Sequence, residues 1–245
     1  MMNKPIPLFA VVLCCLLTAC KKETVVKATN ISNAQAAVMA ATALASNAYG
    51  LASIKNDIVL YSKNLSGTGK GCGVVDSFAV ARQEPVTSNI NYNYGLGYYY
   101  TVNCNDALQD NLTANIVATG SFDAATLTSV NTSNIGINLS SLAGTATTYS
   151  LTGTYQTAGN FQTIDDTPLA GSNTINIDIQ SLVVTKSSRA IVSGNANITI
   201  TGTVKNKNAF SYDGTVVFKD ATTAILNIDG ISYTVNLVTA DVAAM

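Results

Sequence analysis

The chain has 245 residues, with 13 Lys and Arg against 14 Asp and Glu, and no histidine. So even a balance leaves no basic field to gather phosphates, and nucleic acid is not an expected partner. Without histidine there is no Ser-His-Asp or Cys-His nucleophile and no histidine-based zinc site.

At the start, Lys4 precedes an apolar run from Ile6 to Leu17 that is interrupted only by Pro7, Cys14 and Cys15. A bilayer span needs roughly 20 apolar residues, so this run reads as a targeting segment and not as a membrane helix. It ends in Leu17-Thr18-Ala19-Cys20, which resembles the lipobox of bacterial lipoproteins. The resemblance implies a signal peptide over residues 1–19, cleavage before Cys20, and amide- and thioether-linked acyl chains of the palmitate type on that cysteine. Two or more chains anchor a protein stably, whereas one binds only marginally. The other reading is an ordinary signal peptide cut after Ala19. Residues 20–30 form the lipidated tether. Its Lys21-Lys22-Glu23 is similar to the lysine-and-acid signal that sends some Bacteroidetes-type lipoproteins to the outer face of the outer membrane, although Thr24 stands where a second acid is usual. That makes the membrane a partner through Cys20 and places the chain on the outer membrane. Lys21–Glu23 also reads as a plain solvated linker, so the periplasmic and cell-surface faces both stay open.

Once the signal is removed and Cys20 is acylated, Cys72 and Cys104 are the remaining cysteines. An even remainder in an exported chain reads as a disulfide. The mature chain of about 225 residues suits one large all-β domain or two small ones; the strand pattern favours a single domain over residues 31–245.

Ser32–Ile54 reads as one helix. Ser32 and Gln35 have capping-box spacing. Ala34, Ala37, Val38, Ala41, Leu44, Ala45, Ala48, Leu51 and Ala52 then recur at helical intervals. No charge falls between Lys27 and Lys55, so the helix should be covered over much of its circumference. It is either a core helix or one that plugs or lines a ligand cavity.

From Asp57 on, the chain reads as strands, beginning with Val59 and Tyr61. Gly67, Gly69, Gly71 and Gly73 make a turn around Lys70, which is followed by glycine and so is not a phosphate cradle. Cys72, Val74, Phe78 and Val80 share one parity, interrupted by Asp76; Tyr92, Leu96, Val102 and Cys104 share another. A hairpin centred on Ser88 sets Cys72 opposite Cys104, near enough for a disulfide. Tyr92, Tyr94, Tyr98, Tyr99 and Tyr100, interleaved with Asn91, Asn93 and Asn103, fit either a glycan-stacking platform or an ordinary half-buried strand.

Alternation continues through Ile116–Phe122, Ile135–Leu139 and Tyr149–Tyr155. Asp165-Asp166 reads as a turn, since no calcium loop is spelled out around it. Ile175, Ile177, Ile179 and Val183 alternate, as do Val192, Ala196, Ile198 and Ile200, then Phe210, Tyr212, Val216 and Phe218, and then Ala224, Leu226 and Ile228. Asp229-Gly230 is a type I′ hairpin signal before Ile231 to Leu237. Gly120, Gly153, Gly194, Gly202 and Gly214 fall at inward parity and predict bending.

The expected fold is mainly β: a single strongly curved antiparallel sheet, a half-barrel or flattened sandwich of nine to twelve strands, packed on one N-terminal helix. Its strand-and-turn pattern also resembles uncharacterised β-rich envelope lipoproteins of the Bacteroidetes type, a resemblance that implies no activity. Glutamate occurs only at Glu23 and Glu84, and no lysine has a serine three residues before it. Glycoside hydrolysis would need two aspartates or Glu84 with one, and Asp76, Asp178 and Asp213 lie within strands. No catalytic residue, cofactor or metal is expected. The leading reading is a membrane-anchored envelope lipoprotein with a non-catalytic structural or interaction role and a protein or glycan partner. A binding module for a glycan or apolar ligand in the concave face is the alternative, and an unrecognised hydrolase the third.

Overall fold

Ser32 starts the first helix as its spacing predicts. Its hydroxyl accepts from the Gln35 backbone N–H while the Gln35 side chain takes the Ser32 N–H, completing the capping box. A computed structural model of the chain describes residues 31–68, 71–84, 90–105, 108–142 and 145–245. The signal, Cys20, the tether, Lys70 and the turn around Ser88 lie outside these residues.

Helix α1 spans Asn33–Leu44, and all of Ala36–Leu44 except Val38 is buried. The expected single helix over 32–54 is in fact two. Ala45 is extended, a 3-10 turn follows at Ser46–Ala48, and Tyr49 adopts a left-handed conformation at φ 56°. The Ser46 and Asn47 N–H groups leave the helical pattern and bond the carbonyls of Leu237 and Val238. Helix α2 then runs Leu51–Thr68, through the stretch expected to begin the strands. Leu51, Ala52, Ile54, Lys55, Ile58, Val59, Ser62 and Leu65 are its buried residues among those described, recurring at helical spacing, and tertiary burial of that face overrides the β propensity of Val59 and Tyr61.

Eleven strands follow: β1 (Val75–Gln83), β2 (Ile90–Asn105), β3 (Leu108–Ala124), β4 (Leu127–Ser140), β5 (Thr148–Thr163), β6 (Ala170–Thr185), β7 (Ile191–Val204), β8 (Ala209–Phe218), β9 (Thr223–Ile228), β10 (Ile231–Asn236) and β11 (Val242–Ala244). They form one antiparallel meander in strict sequence order, unclosed between β1 and β11. The fold is the expected single curved sheet. Val75 lies opposite Thr101, the register of a hairpin centred on Ser88. Cys72 and Cys104 are disulfide-bonded, with Cα atoms 5.6 Å apart. Asp229 and Gly230 both have positive φ, as a type I′ turn requires.

The sheet wraps α1. That helix touches β6, β7, β9, β10 and β11, while Tyr94, Phe122 and Tyr155 from the far side of the sheet share a small space with its Met39 and Ala43. At its start, Tyr212 bonds the Ile31 carbonyl and Gln35 bonds Asp165 in the β5–β6 turn. Helix α2 bridges the β1–β2 edge and the β6–β7 turn, where Lys55 and Lys63 bond the carbonyls of Arg189 and Ser187.

Curvature depends on the inward glycines. A Cβ on Gly120 would stand 2.1 Å from the Asn93 carbonyl oxygen, so β2 and β3 approach there closer than any side chain allows. Gly153, at φ 132°, sits at a bulge opposite β6. Further bulges after Ile179 and Val183 shift the β6–β7 register and reverse the expected facing of two residues. Leu182 and Val184 turn inward in place of Val183, and Ile191 inward in place of Val192, which is 45% exposed.

Candidate functional site

The densest polar chemistry lies between α2 and the β1–β2 hairpin. Strand alternation points Tyr92, Tyr94, Tyr98 and Tyr100 of β2 to one side, Asp76, Phe78 and Arg82 of β1 lie opposite them, and α2 and its preceding turn bring Tyr49, Asp57 and Tyr61. Asp57 accepts from Tyr49 at 2.5 Å and from Tyr98, and its other oxygen lies 3.8 Å from the Arg82 guanidinium. Arg82 also donates to the Tyr49 oxygen at 2.9 Å. One turn further along α2, Tyr61 donates to Asp76 at 2.7 Å and stacks on Tyr100 with centroids 3.9 Å apart.

Burial, reinforced by the bond to Asp57, pushes Tyr49 up to about 12. Burial also takes Tyr92, bonded to Glu84, and Tyr94 to about 12. Tyr61, Tyr98 and Tyr100 are held well above the ordinary phenol range, again by burial first and by neighbouring carboxylates second. The Arg82 guanidinium is pushed up chiefly by its bond to Tyr49. Burial keeps these phenols neutral, and Asp57 takes Tyr49 and Tyr98 on one oxygen and faces Arg82 with the other. The arrangement braces a helix to a hairpin.

Of the tyrosines singled out in the sequence, Tyr94, Tyr98 and Tyr100 are buried at 5%, 1% and 1%, Tyr92 is half-buried, and Tyr99 alone is exposed, on the opposite face. The rings therefore form no common exposed plane for sugar stacking. Alternation and the cover of α2 put the even-numbered rings in the core. Sequence reasoning missed Asp57, Tyr49, Tyr61 and Arg82. The available signal was the Asp57–Tyr61 interval of four, which places both on one face once residues 51–68 are read as a helix.

Inside the sheet, the space between α1 and β2–β6 is about 20 Å³, room for a single water and not for an acyl chain. No family model matches the chain, and no curated protein or solved structure matches it. On the outer face, near the β1–β2 turn, a groove of about 630 Å³ is flanked by Gln83, Asn91, Asn93, Asn160 and Gln162, with Glu84 and Asp123 also lining it. A second outer groove of about 460 Å³ is lined by Asn115, Asn134, Gln156 and Asn176. Among the described residues no group of three His, Cys, Asp or Glu converges as a metal site would require. Asp165 bonds Gln35 and the Thr167 N–H, which makes its turn a helix-start brace. No helix among the described residues is long and apolar enough to cross a membrane.

Proposed function

We propose that this chain is an envelope lipoprotein, tethered to the outer membrane by acyl chains on Cys20, whose non-catalytic β scaffold acts by presenting its outer face to a partner. The observation that carries this reading is the packing of α1 on the inner face, which leaves about 20 Å³ beside Met39, Ala43, Tyr94 and Tyr155, while the cleft at the helix start beside Val38, Leu127 and Ile164 is open and about 220 Å³. A chain that carried an apolar ligand in its concave face would need an enclosed chamber of about 300 Å³ or more, larger than either space. The outward residues are chiefly Thr, Ser and Asn, a wet surface suited to contact outside the cell membrane. Envelope fractionation tests the anchoring. The full chain is expected with the outer membrane and the Cys20→Ser chain in the soluble periplasmic fraction; wild-type chain recovered as soluble protein overturns the proposal.

One observation favours a second reading, glycan binding. The 630 Å³ outer groove sets five side-chain amides and two carboxylates around one cleft, donors and acceptors of the kind that read sugar hydroxyls. In this reading the glycan lies on the outer wall instead of the concave face. Calorimetric titration with neutral oligosaccharides, repeated with Asn93→Ala and Asn160→Ala, tests it. Saturable heat that both substitutions weaken supports the reading, and no heat at millimolar sugar removes it.

A further inference from the structure

One edge of the sheet is short: β11 has three residues. The other, β1, is nine residues long and pairs only with β2. Glu84 continues the β1–β2 register and gives its N–H to the Tyr92 carbonyl at 3.1 Å. Bonded and non-bonded residues alternate along an antiparallel ladder. The even-numbered residues of β1 therefore bond β2, and Val75, Ser77, Ala79, Ala81 and Gln83 turn their N–H and C=O groups to the open side. All five are exposed and none is proline.

Natural sheet edges are blunted by lysine, proline, bulges or shortness, because a bare edge invites another strand. This edge is long, its sequence VDSFAVARQ holds no lysine or proline, and its register is unbroken. Its two charges, Asp76 and Arg82, are bonded on the inner side to Tyr61 and to Tyr49 and Asp57, and leave the open backbone groups of the odd-numbered residues bare. Around it Val74, Val75 and Phe78 are 54%, 58% and 43% exposed.

We propose that β1 pairs antiparallel with β1 of a second copy of this chain, about a two-fold axis through Ala79. The strand is complementary to itself in that register. Ser77 meets Ala81, Phe78 meets Val80, and Asp76 meets Arg82 of the second copy, twice by symmetry. Centring instead on Val80 would set Asp76 opposite Glu84, a like-charge pair that opposes association; centring on Phe78 would leave Arg82 opposite Val74. In the matched register the open N–H and C=O groups of Val75, Ser77, Ala79, Ala81 and Gln83 all find partners. Two eleven-stranded sheets become one continuous sheet with only the short β11 edges exposed. Asp76 and Arg82 keep their bonds within each copy, to Tyr61 and to Asp57 and Tyr49, and gain an opposite charge across the axis. One strand pair is a small interface, so the dimer is reversible in dilute solution. The pairing does not depend on the acyl anchor.

The test uses the full chain solubilised from membranes in detergent, with Ala79→Cys or Ser77→Cys, treated with a short bifunctional thiol crosslinker. The two Ala79→Cys positions face one another, whereas two copies of Ser77→Cys lie four residues out of register, roughly 13 Å along the strands. The expected result is at least tenfold more covalent dimer from Ala79→Cys, with peptide mapping placing the link between the two introduced cysteines. Sedimentation of the wild-type chain should show a concentration-dependent dimer. The Ser77→Lys/Ala81→Lys chain, which sets lysine opposite lysine on the exposed face, should sediment as a monomer. Equal or absent crosslinking at the two positions, or a wild-type monomer at every concentration, overturns the proposal.

Discussion

Tyr98 in the middle of β2 donates its phenolic hydrogen to Asp57 on α2, a residue 41 positions earlier in the chain. Through that carboxylate the helix, the turn at Tyr49 and the edge strand at Arg82 are joined in one network. Removing the acceptor should cost more than removing one donor, because a buried donor left without a partner bears its full desolvation cost. Asp57→Ala is expected to destabilise by about 3 kcal/mol and Tyr98→Phe by about 1 kcal/mol, read from urea midpoints at unchanged slope. Equal losses would show that the network is not centred on Asp57.

Alkaline pH should unfold the chain through its phenols. Tyr49, Tyr92 and Tyr94 are raised to about 12, and burial raises Tyr61, Tyr98, Tyr100 and Tyr155 as well. The folded state therefore holds protons that the unfolded state gives up from about pH 10. Their contribution is fully present below pH 10 and is lost as pH climbs through 12. Tyrosinate absorbance and loss of β circular dichroism should rise together in that window. Ionisation of most tyrosines while the sheet stays intact would contradict the burial of the cluster.

Lys55 gives the opposite slope at lower pH. It is 5% exposed, bonded to Asn56 and to the Arg189 carbonyl, and burial, with the nearby Arg189 charge, lowers it to about 8. Below pH 8 both states carry the proton and the folded state bears the cost of a buried charge. Between pH 8 and about 10.5 the unfolded chain binds more protons, so stability rises with pH. The gain at this site is on the order of 3 kcal/mol. Lys55→Met should remove that rise, which denaturant midpoints at pH 7, 8, 9 and 10 will register.

The disulfide ties the segment leading into β1 to the far end of β2 across a sequence separation of 32. Closing such a loop is worth about 3–4 kcal/mol in the chain-entropy model. Cys72 is exposed, so mild reductant should reach it. Reduction is expected to lower the urea midpoint accordingly while the β spectrum of the native chain is kept. An unchanged midpoint after complete reduction would remove the bridge from the list of supports.

Local rules carried the sequence reading wherever the structure is local. The Ser32/Gln35 cap, the Asp229-Gly230 turn and the hairpin register about Ser88 each depend on residues within a few positions or on strict alternation. Sheet curvature was also legible, because Gly120 and Gly153 interrupt rows of inward apolar residues. What the sequence hid is non-local. Helix α2 buries Leu51, Ile54, Ile58, Val59 and Leu65 in a stretch whose Val59 and Tyr61 equally suit a strand, and only packing decides between the two. The bulges after Ile179 and Val183 shift parity within β6, where Gln180 to Val184 hold no glycine or proline; only Gly194 of β7, opposite Leu182, marks the place. The Asp57–Tyr98 bond joins two elements whose proximity no spacing foretells, so the tyrosine-rich strand fitted both a stacking platform and a half-buried strand, and the packing of α2 makes three of its rings core.

The account rests on Cys20 being the point at which this scaffold is held to a membrane. Metabolic labelling with palmitate, followed by isolation of the full chain, tests that most directly. The account predicts label in the wild-type protein and none after Cys20→Ser. An unlabelled wild-type chain, or equal label in both, would contradict it.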